Sequence, residues 1–295
     1  MRTGSEFFGC YTALITPFSG EGVDYPALER FIDWQVGEGV HGIVPCGTTG
    51  ESPTLTTSEH NEVIARAVKA AAGRVKVMAG AGSNSTAEAV EFARHAEKAG
   101  ADALLVVAPY YNKPTQEGLF QHFKTVAAAT ALPIFIYNIP GRSVVNMTDA
   151  TLARLAEIKN IVGVKDATGD LARVATLRDL VGDRLVLLSG EDMTAVGFNA
   201  MGGRGVISVV SNIAPKLTAE IQNLSLAGKF AEARALQAKL VKLTTAMFTE
   251  TNPTPVKFAA SLMGKCSADM RLPLVPASDG CQAQVRTAMA QLGLI

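Results

Sequence analysis

Cysteine is scarce and scattered. Cys10, Cys46, Cys266 and Cys281 form no C-x-x-C pair, which leaves neither a zinc knuckle nor a disulfide frame and fits reduced thiols in the cytoplasm. Histidine is equally dispersed: His41, His60, His95 and His122 fall into no H-x-x-x-H or H-x-x-E pattern, so no metal centre is expected. No charge of one sign dominates, because 27 basic residues balance 27 acidic ones. A nucleic-acid binder would need a basic excess or stripe. No apolar run reaches the roughly 18 residues of a membrane span. The opening Met1-Arg-Thr-Gly-Ser-Glu6 lacks the apolar core of a secretory signal. Finally, Thr16-Pro-Phe-Ser-Gly20 stands after the first apolar run where a dinucleotide-binding sheet would carry G-x-G-x-x-G.

What is present is a repeated alternation. Of the 295 residues 48% are hydrophobic and 18% charged, enough for a large core. Short β-branched runs recur at Tyr11–Ile15, Gly42–Pro45, Val75–Ala79, Ala103–Val107, Ile134–Tyr137, Ile161–Lys165, Leu185–Ser189 and Gly205–Ser208. Helical spacing fills the intervals, as at Tyr25–Glu38, Ser58–Ala72, Thr86–Ala99, Glu117–Ala129, Asp149–Ile158 and Leu171–Val181. Caps support several of these: Asn84-Ser-Thr-Ala-Glu88 and Thr57-Ser-Glu-His60 at starts, Gly100 and Gly182 at ends. Continuous apolar strands alternating with helices predict a parallel sheet covered on its faces. Eight such units predict a (β/α)8 barrel, with a doubly wound open sheet as the alternative. After Pro215 only helices are predicted, at Lys216–Ala227, Phe230–Phe248, Pro255–Met263 and Cys281–Leu292. The first completes a barrel over residues 1–228. The rest form an extension, 229–295, expected to pack on its wall because no Pro/Gly/Ser-rich linker separates the two.

One residue breaks the apolar pattern. Lys165 closes the run Ile161-Val-Gly-Val-Lys165. Lysine is rarely buried, and burial disfavours its charged form. A neutral amine is a nucleophile that forms imines with carbonyls. In a barrel the chemistry sits at the C-terminal ends of the strands, so Lys165 would share a rim with several polar segments. These are Cys46-Gly-Thr-Thr-Gly-Glu-Ser52, Tyr110-Tyr-Asn-Lys-Pro114, Tyr137-Asn-Ile-Pro-Gly-Arg142 and Ser189-Gly-Glu-Asp192. Gly47-Thr-Thr-Gly50 can aim backbone amides at an anion. Tyr137 and Tyr111 can pass protons if chained through Thr48, and Arg142 can grip a carboxylate with its guanidinium fork. Gly202-Gly-Arg-Gly205 precedes the last strand and reads as a turn on the opposite face. No glycine-rich phosphate loop follows that strand, which argues against sugar phosphates.

The first three of these segments, together with Val164-Lys-Asp-Ala-Thr-Gly169, resemble those of the dihydrodipicolinate synthases (4-hydroxy-tetrahydrodipicolinate synthases), in the same order, from about Gly9 to the C-terminal helices. The wider superfamily includes N-acetylneuraminate lyase and the 2-keto-3-deoxy sugar-acid aldolases. The resemblance implies a cytoplasmic enzyme of the diaminopimelate route to lysine that condenses pyruvate with (S)-aspartate 4-semialdehyde. Lys165 would form the imine, and Tyr137, Thr48 and Tyr111 would relay protons. Tyr111 would come from a neighbouring subunit of a homotetramer, a dimer of dimers. Thr49, Gly190 and Ile207 would line the pyruvate site, and Arg142 would hold the semialdehyde carboxylate. No metal or organic cofactor is implied. Ser52, His60, Asn84, Glu88 and Tyr110 match a lysine-effector site, although Thr57 stands where strongly inhibited relatives often carry histidine. An aldolase of the same superfamily is the alternative, disfavoured by Arg142. A catalytically silent carboxylate binder would be expected to lose Lys165, Tyr137 or Arg142, and all three are present.

Overall fold

The computed structural model describes residues 4–20 and 22–295; residues 1–3, the start of the opening segment read above, and residue 21 lie outside the described part. Eight parallel strands close into a barrel. They are β1 (Gly9–Ala13), β2 (Gly42–Val44), β3 (Lys76–Gly80), β4 (Ala103–Val107), β5 (Ile134–Asn138), β6 (Ile161–Asp166), β7 (Val186–Ser189) and β8 (Gly205–Ser208). Each pairs with its neighbours in sequence, and β1 closes the ring by pairing with both β8 and β2. The barrel expectation therefore holds, and the open doubly wound sheet does not.

Helices α1 (Tyr25–Gly37), α2 (Thr57–Ala71), α3 (Thr86–Ala99), α4 (Gln116–Ala128), α5 (Asp149–Leu155), α6 (Ala172–Val181), α7 (Ala195–Ala200) and α8 (Pro215–Leu226) follow the strands in turn. Their starts are set locally. Thr56 and Glu59 form a reciprocal capping box on α2, and Ser85 caps α3. Gly100 ends α3 with φ +86°, a left-handed backbone that glycine adopts freely.

Two apolar layers make the core. The outer one lies between strands and helices. The inner one fills the barrel with Phe7, Tyr11, Val44, Met78, Leu105, Phe135, Leu188, Ile207 and others. Near the strand starts the rings of Phe7 and Phe135 meet edge to face at 5.2 Å. Glycines make room for this bulk: a Cβ on Gly42 would sit 2.1 Å from the Tyr11 ring, and one on Gly163 2.2 Å from the Phe135 ring. The closed end is thus packed with aromatic carbon, and polar side chains are left for the other.

After the barrel come α9 (Phe230–Ala246), α10 (Thr254–Leu262) and α11 (Asp279–Gln291). α9 packs on α8, α11 packs on α9 and α10, and α10 touches the turn Val210–Asn212 just past β8. Met247, Val256, Phe258, Val285 and Met289 belong to the same apolar cluster as the barrel helices.

Boundaries moved where burial and pairing part company. The first strand begins at Gly9, two residues before the apolar run, because Gly9 and Cys10 already pair with Gly205 and Val206. Leu14 and Ile15 are buried but have left that ladder, and the Ile15 amide donates to Asn212 Oδ1 at 3.1 Å. Three short elements carried no periodic signal: the hairpin Phe18–Ser19 with Gly22–Val23, the single turn Pro140–Ser143, and α7.

Candidate active site

Lys165 is the fifth residue of β6 and only 6% exposed. Its Cα pairs with Tyr137 on β5 and Leu188 on β7. Its Nζ lies 3.9 Å from the centroid of the Tyr137 ring. Burial pushes the amine pKa down to about 7, with the nearby carboxylates Asp192 and Glu191 opposing the shift and the Arg142 cation adding to it. At neutral pH much of this lysine is an uncharged amine, the form that attacks a carbonyl.

Tyr137 links the lysine to an open space. Its phenol is pushed above the ordinary tyrosine range by burial, against opposing effects from Arg142 and a hydrogen bond with Thr48. The phenol therefore keeps its proton at neutral pH and can donate it. Its ring also lines a cavity of about 200 Å³, with Gly47, Thr48, Val107, Tyr110 and Arg142 among the other walls. Burial and desolvation put a protonated phenol beside a neutral amine, an acid and a nucleophile on adjacent strands.

The loop after β2 is a tight turn. The Gly50 amide donates to Gly47 O and the Glu51 amide to Thr48 O, each at 3.1 Å. Thr16 Oγ1 donates to Gly50 O at 2.7 Å and fixes the turn to the segment after β1. The Gly50 amide is thereby consumed. The amides of Thr48 and Thr49 have no backbone or side-chain acceptor among the described residues, which narrows the anion nest to that pair.

Arg142 stands in the single turn after β5, exposed at the cavity wall, and its Nη2 donates to Asn252 O at 3.2 Å. Gly190 lies at the end of β7, where its amide donates to Asp166 O at 2.6 Å and a Cβ would meet that of Ala167 at 2.6 Å. Ile207 is buried inside the barrel on β8. Neither borders the cavity that Tyr137 lines.

Tyr111 is not brought to this chain's own site. It is 89% exposed and holds φ +72°, a strained conformation for a non-glycine residue, while its neighbour Tyr110 faces the cavity. Of the effector positions, Ser52 and Tyr110 share the cavity wall. The Tyr110 hydroxyl accepts a hydrogen bond from the Asn84 backbone amide, and Ser83 Oγ donates to the Glu88 carboxylate. His60 is buried with its ring stacked on Phe92 at 4.0 Å, and burial lowers its pKa to about 4, so it is neutral at physiological pH. Thr57 opens α2 on the surface.

Sequence reasoning missed the contacts that hold this rim in place. Asp192 Oδ2 accepts the Val209 and Val210 amides at 2.9 and 3.1 Å, pinning the end of β8. Arg173, buried in α6, lies 2.8 Å from Asp149 and 3.5 Å from Asp166, the residue after the lysine. Asn252, beyond the barrel, donates to Thr49 Oγ1 at 3.0 Å. Lys257 pairs with Glu51. Lys257 could have been seen, since it interrupts the apolar run Pro255-Val-Lys-Phe-Ala-Ala260 much as Lys165 interrupts its own.

A closed barrel whose sixth strand ends in a desolvated lysine, set against a protonated phenol, defines a class: the Schiff-base-forming lyases. Within that class the chain belongs to the dihydrodipicolinate synthetase family, whose model matches residues 6–292. It is 55% identical to a 4-hydroxy-tetrahydrodipicolinate synthase of Methylobacterium radiotolerans over 293 residues, covering 99% of this chain and 98% of that one. Among solved structures, the dihydrodipicolinate synthase of Acinetobacter baumannii complexed with pyruvate superposes with a TM-score of 0.96 at 43% identity, covering 98% of this chain and 99% of that one. The enzyme of Cyanidioschyzon merolae with lysine bound gives 0.95 at 39% identity, with the same two coverages.

Proposed function

We propose that this chain condenses pyruvate with (S)-aspartate 4-semialdehyde to give 4-hydroxy-tetrahydrodipicolinate, a step of the diaminopimelate route to lysine. The observation that carries the reading is the buried amine of Lys165, titrating near 7, against the ring of Tyr137. Full-length identity to named synthases supports the choice of substrates.

The neutral Nζ of Lys165 attacks C2 of pyruvate. The phenol of Tyr137 protonates the departing hydroxyl, which leaves as water, and an imine remains. The amides and hydroxyls of Thr48 and Thr49 receive the pyruvate carboxylate, while Gly190 and Ile207 shape the pocket through their backbones. The Tyr137 phenolate then takes a proton from C3, giving the enamine. That carbon attacks the aldehyde of the second substrate, whose carboxylate Arg142 holds, and the new alkoxide receives the proton back. The amine of the adduct attacks C2, releases Lys165 and closes the ring. The imine is the electron sink throughout, so the cycle needs no cofactor. Thr48 passes protons between Tyr137 and Tyr111 of a neighbouring copy. The exposure of Tyr111 and its held backbone support that supply in trans.

The barrel, residues 1–228, carries the reacting groups in this reading, and 229–295 braces them. We place the enzyme in the cytoplasm as a homotetramer; no helix among the described residues is long and apolar enough to cross a membrane. Lysine acts as an inhibitor at Ser52, His60, Asn84, Glu88 and Tyr110, weakened by Thr57. Unchanged activity at millimolar lysine rejects that part.

A coupled assay tests the main reading. Purified protein, pyruvate and aspartate semialdehyde should drive NADPH oxidation by a downstream dihydrodipicolinate reductase. Cleavage of a 2-keto-3-deoxy sugar acid or N-acetylneuraminate, with no condensation, would assign the aldolase chemistry instead.

A further inference from the structure

A second buried lysine plays no part in that cycle. Lys257, on α10, has a fully buried side chain, and its Nζ lies 2.6 Å from Glu51 Oε1, which is also fully buried. Burial lowers its pKa and the Glu51 carboxylate raises it. Beneath the pair the Phe18 ring lies 3.7 Å from the ammonium. The other carboxylate oxygen, Glu51 Oε2, accepts the Arg271 amide at 3.3 Å. Both ends of this contact, 206 positions apart, are therefore removed from water.

An ion pair of this kind is poor at stabilising a fold. Desolvating two charges offsets most of their attraction, and apolar residues of similar volume often serve as well. What the pair does provide is fixed geometry, and it acts where geometry matters. Glu51 takes φ +53°, the left-handed region that a glutamate rarely adopts. Its own amide donates to Thr48 O, so it closes the turn that presents the Thr48 and Thr49 amides. Two further ties run from the same extension. Asn252 donates to Thr49 Oγ1 at 3.0 Å, and Arg271 Nη1 donates to Thr54 O at 2.9 Å. The ties meet the loop at residues 49, 51 and 54, just past Thr48.

We propose that the Lys257–Glu51 pair is a positioning device for pyruvate, with Asn252 as its partner: from outside the barrel it sets the angle at which the Thr48–Thr49 turn meets the substrate carboxylate. The proposal rests on the assignment of that turn to pyruvate under Proposed function. Neither residue touches substrate. Both act through the turn.

The test separates position from stability. Lys257→Met strands the Glu51 charge, and the double variant Glu51→Gln/Lys257→Met removes both charges. The pyruvate dependence of borohydride-trapped adduct at Lys165 is measured alongside the thermal midpoint. The double variant should regain the midpoint lost in Lys257→Met, yet need about tenfold more pyruvate for half-saturation, with a smaller change in maximal rate. Half-saturation that returns to the wild-type value makes the pair purely structural and overturns the proposal. If these variants do not fold, Asn252→Ala removes a tie without stranding a charge. A raised pyruvate requirement then supports the proposal and an unmoved one overturns it. A wild-type chain that forms no adduct overturns the functional reading, and this proposal with it; a normal wild-type adduct with unmoved variants overturns this proposal alone.

Discussion

Imine formation should follow the titration of Lys165. An ordinary lysine, titrating at about 10.4, is neutral in only about one molecule in 2,500 at pH 7, whereas one titrating near 7 is half neutral. Burial beside Tyr137 thus raises the reactive amine about a thousandfold, at a desolvation cost on the order of 5 kcal/mol. The observed rate of pyruvate adduct formation, trapped with cyanoborohydride, should climb about tenfold per pH unit up to about pH 7 and then level off. Tyr137 does not blur the profile, because its phenol stays protonated across this range. Glu191→Gln removes a charge that holds the lysine pKa up, so it should move the bend to lower pH. A rate that keeps climbing tenfold per unit to about pH 9 would mean an amine of ordinary basicity, and would refute the argument from burial.

The same titration bears on stability. The folded amine releases its proton near 7 and the unfolded one near 10.4, so between these values the unfolded chain binds more protons and stability rises with pH. Lys165→Met should therefore abolish activity yet stabilise the fold, by up to several kcal/mol at pH 7 and by less at pH 9, in urea titrations. Equal gains at both pH values would contradict the shifted pKa. Arg142→Ala should lower kcat/KM for the semialdehyde by about ten- to a hundredfold, the worth of a charge-assisted pair, and leave pyruvate trapping near normal; an equal loss of pyruvate binding would contradict its role. Tyr111→Phe and Lys165→Ala chains, each impaired alone, should recover activity when mixed as hybrids, since one site then has both groups. No recovery would place Tyr111 outside the neighbouring site.

The barrel was legible because each strand is buried on both faces and so reads as an unbroken apolar run; β4 and β8 have the expected limits, and the other six strands shift by a residue or two. Lys165 was legible for the same reason: a charge that closes such a run must be either solvated or specialised. Tyr137 could be placed beside it because adjacent strand ends share a rim. The braces were not. Asn252, Lys257 and Arg271 meet the Thr48–Thr49 turn across roughly 200 positions, and Asn252 and Arg271 lie in irregular segments without a period. Arg173 reads as an ordinary helical arginine until α6 is folded against Asp149 and Asp166. Exposure also escaped the sequence: Tyr110 and Tyr111 are adjacent and chemically alike, yet one lines the cavity while the other stands in solvent.

In the proposed cycle Lys165 carries the substrate. Borohydride reduction in the presence of pyruvate, followed by peptide mass spectrometry, tests it most directly. One reduced pyruvyl adduct should form, on the peptide that contains Lys165, and none in Lys165→Ala. An adduct on another lysine, or condensation with the semialdehyde that proceeds with no trappable adduct, would contradict it.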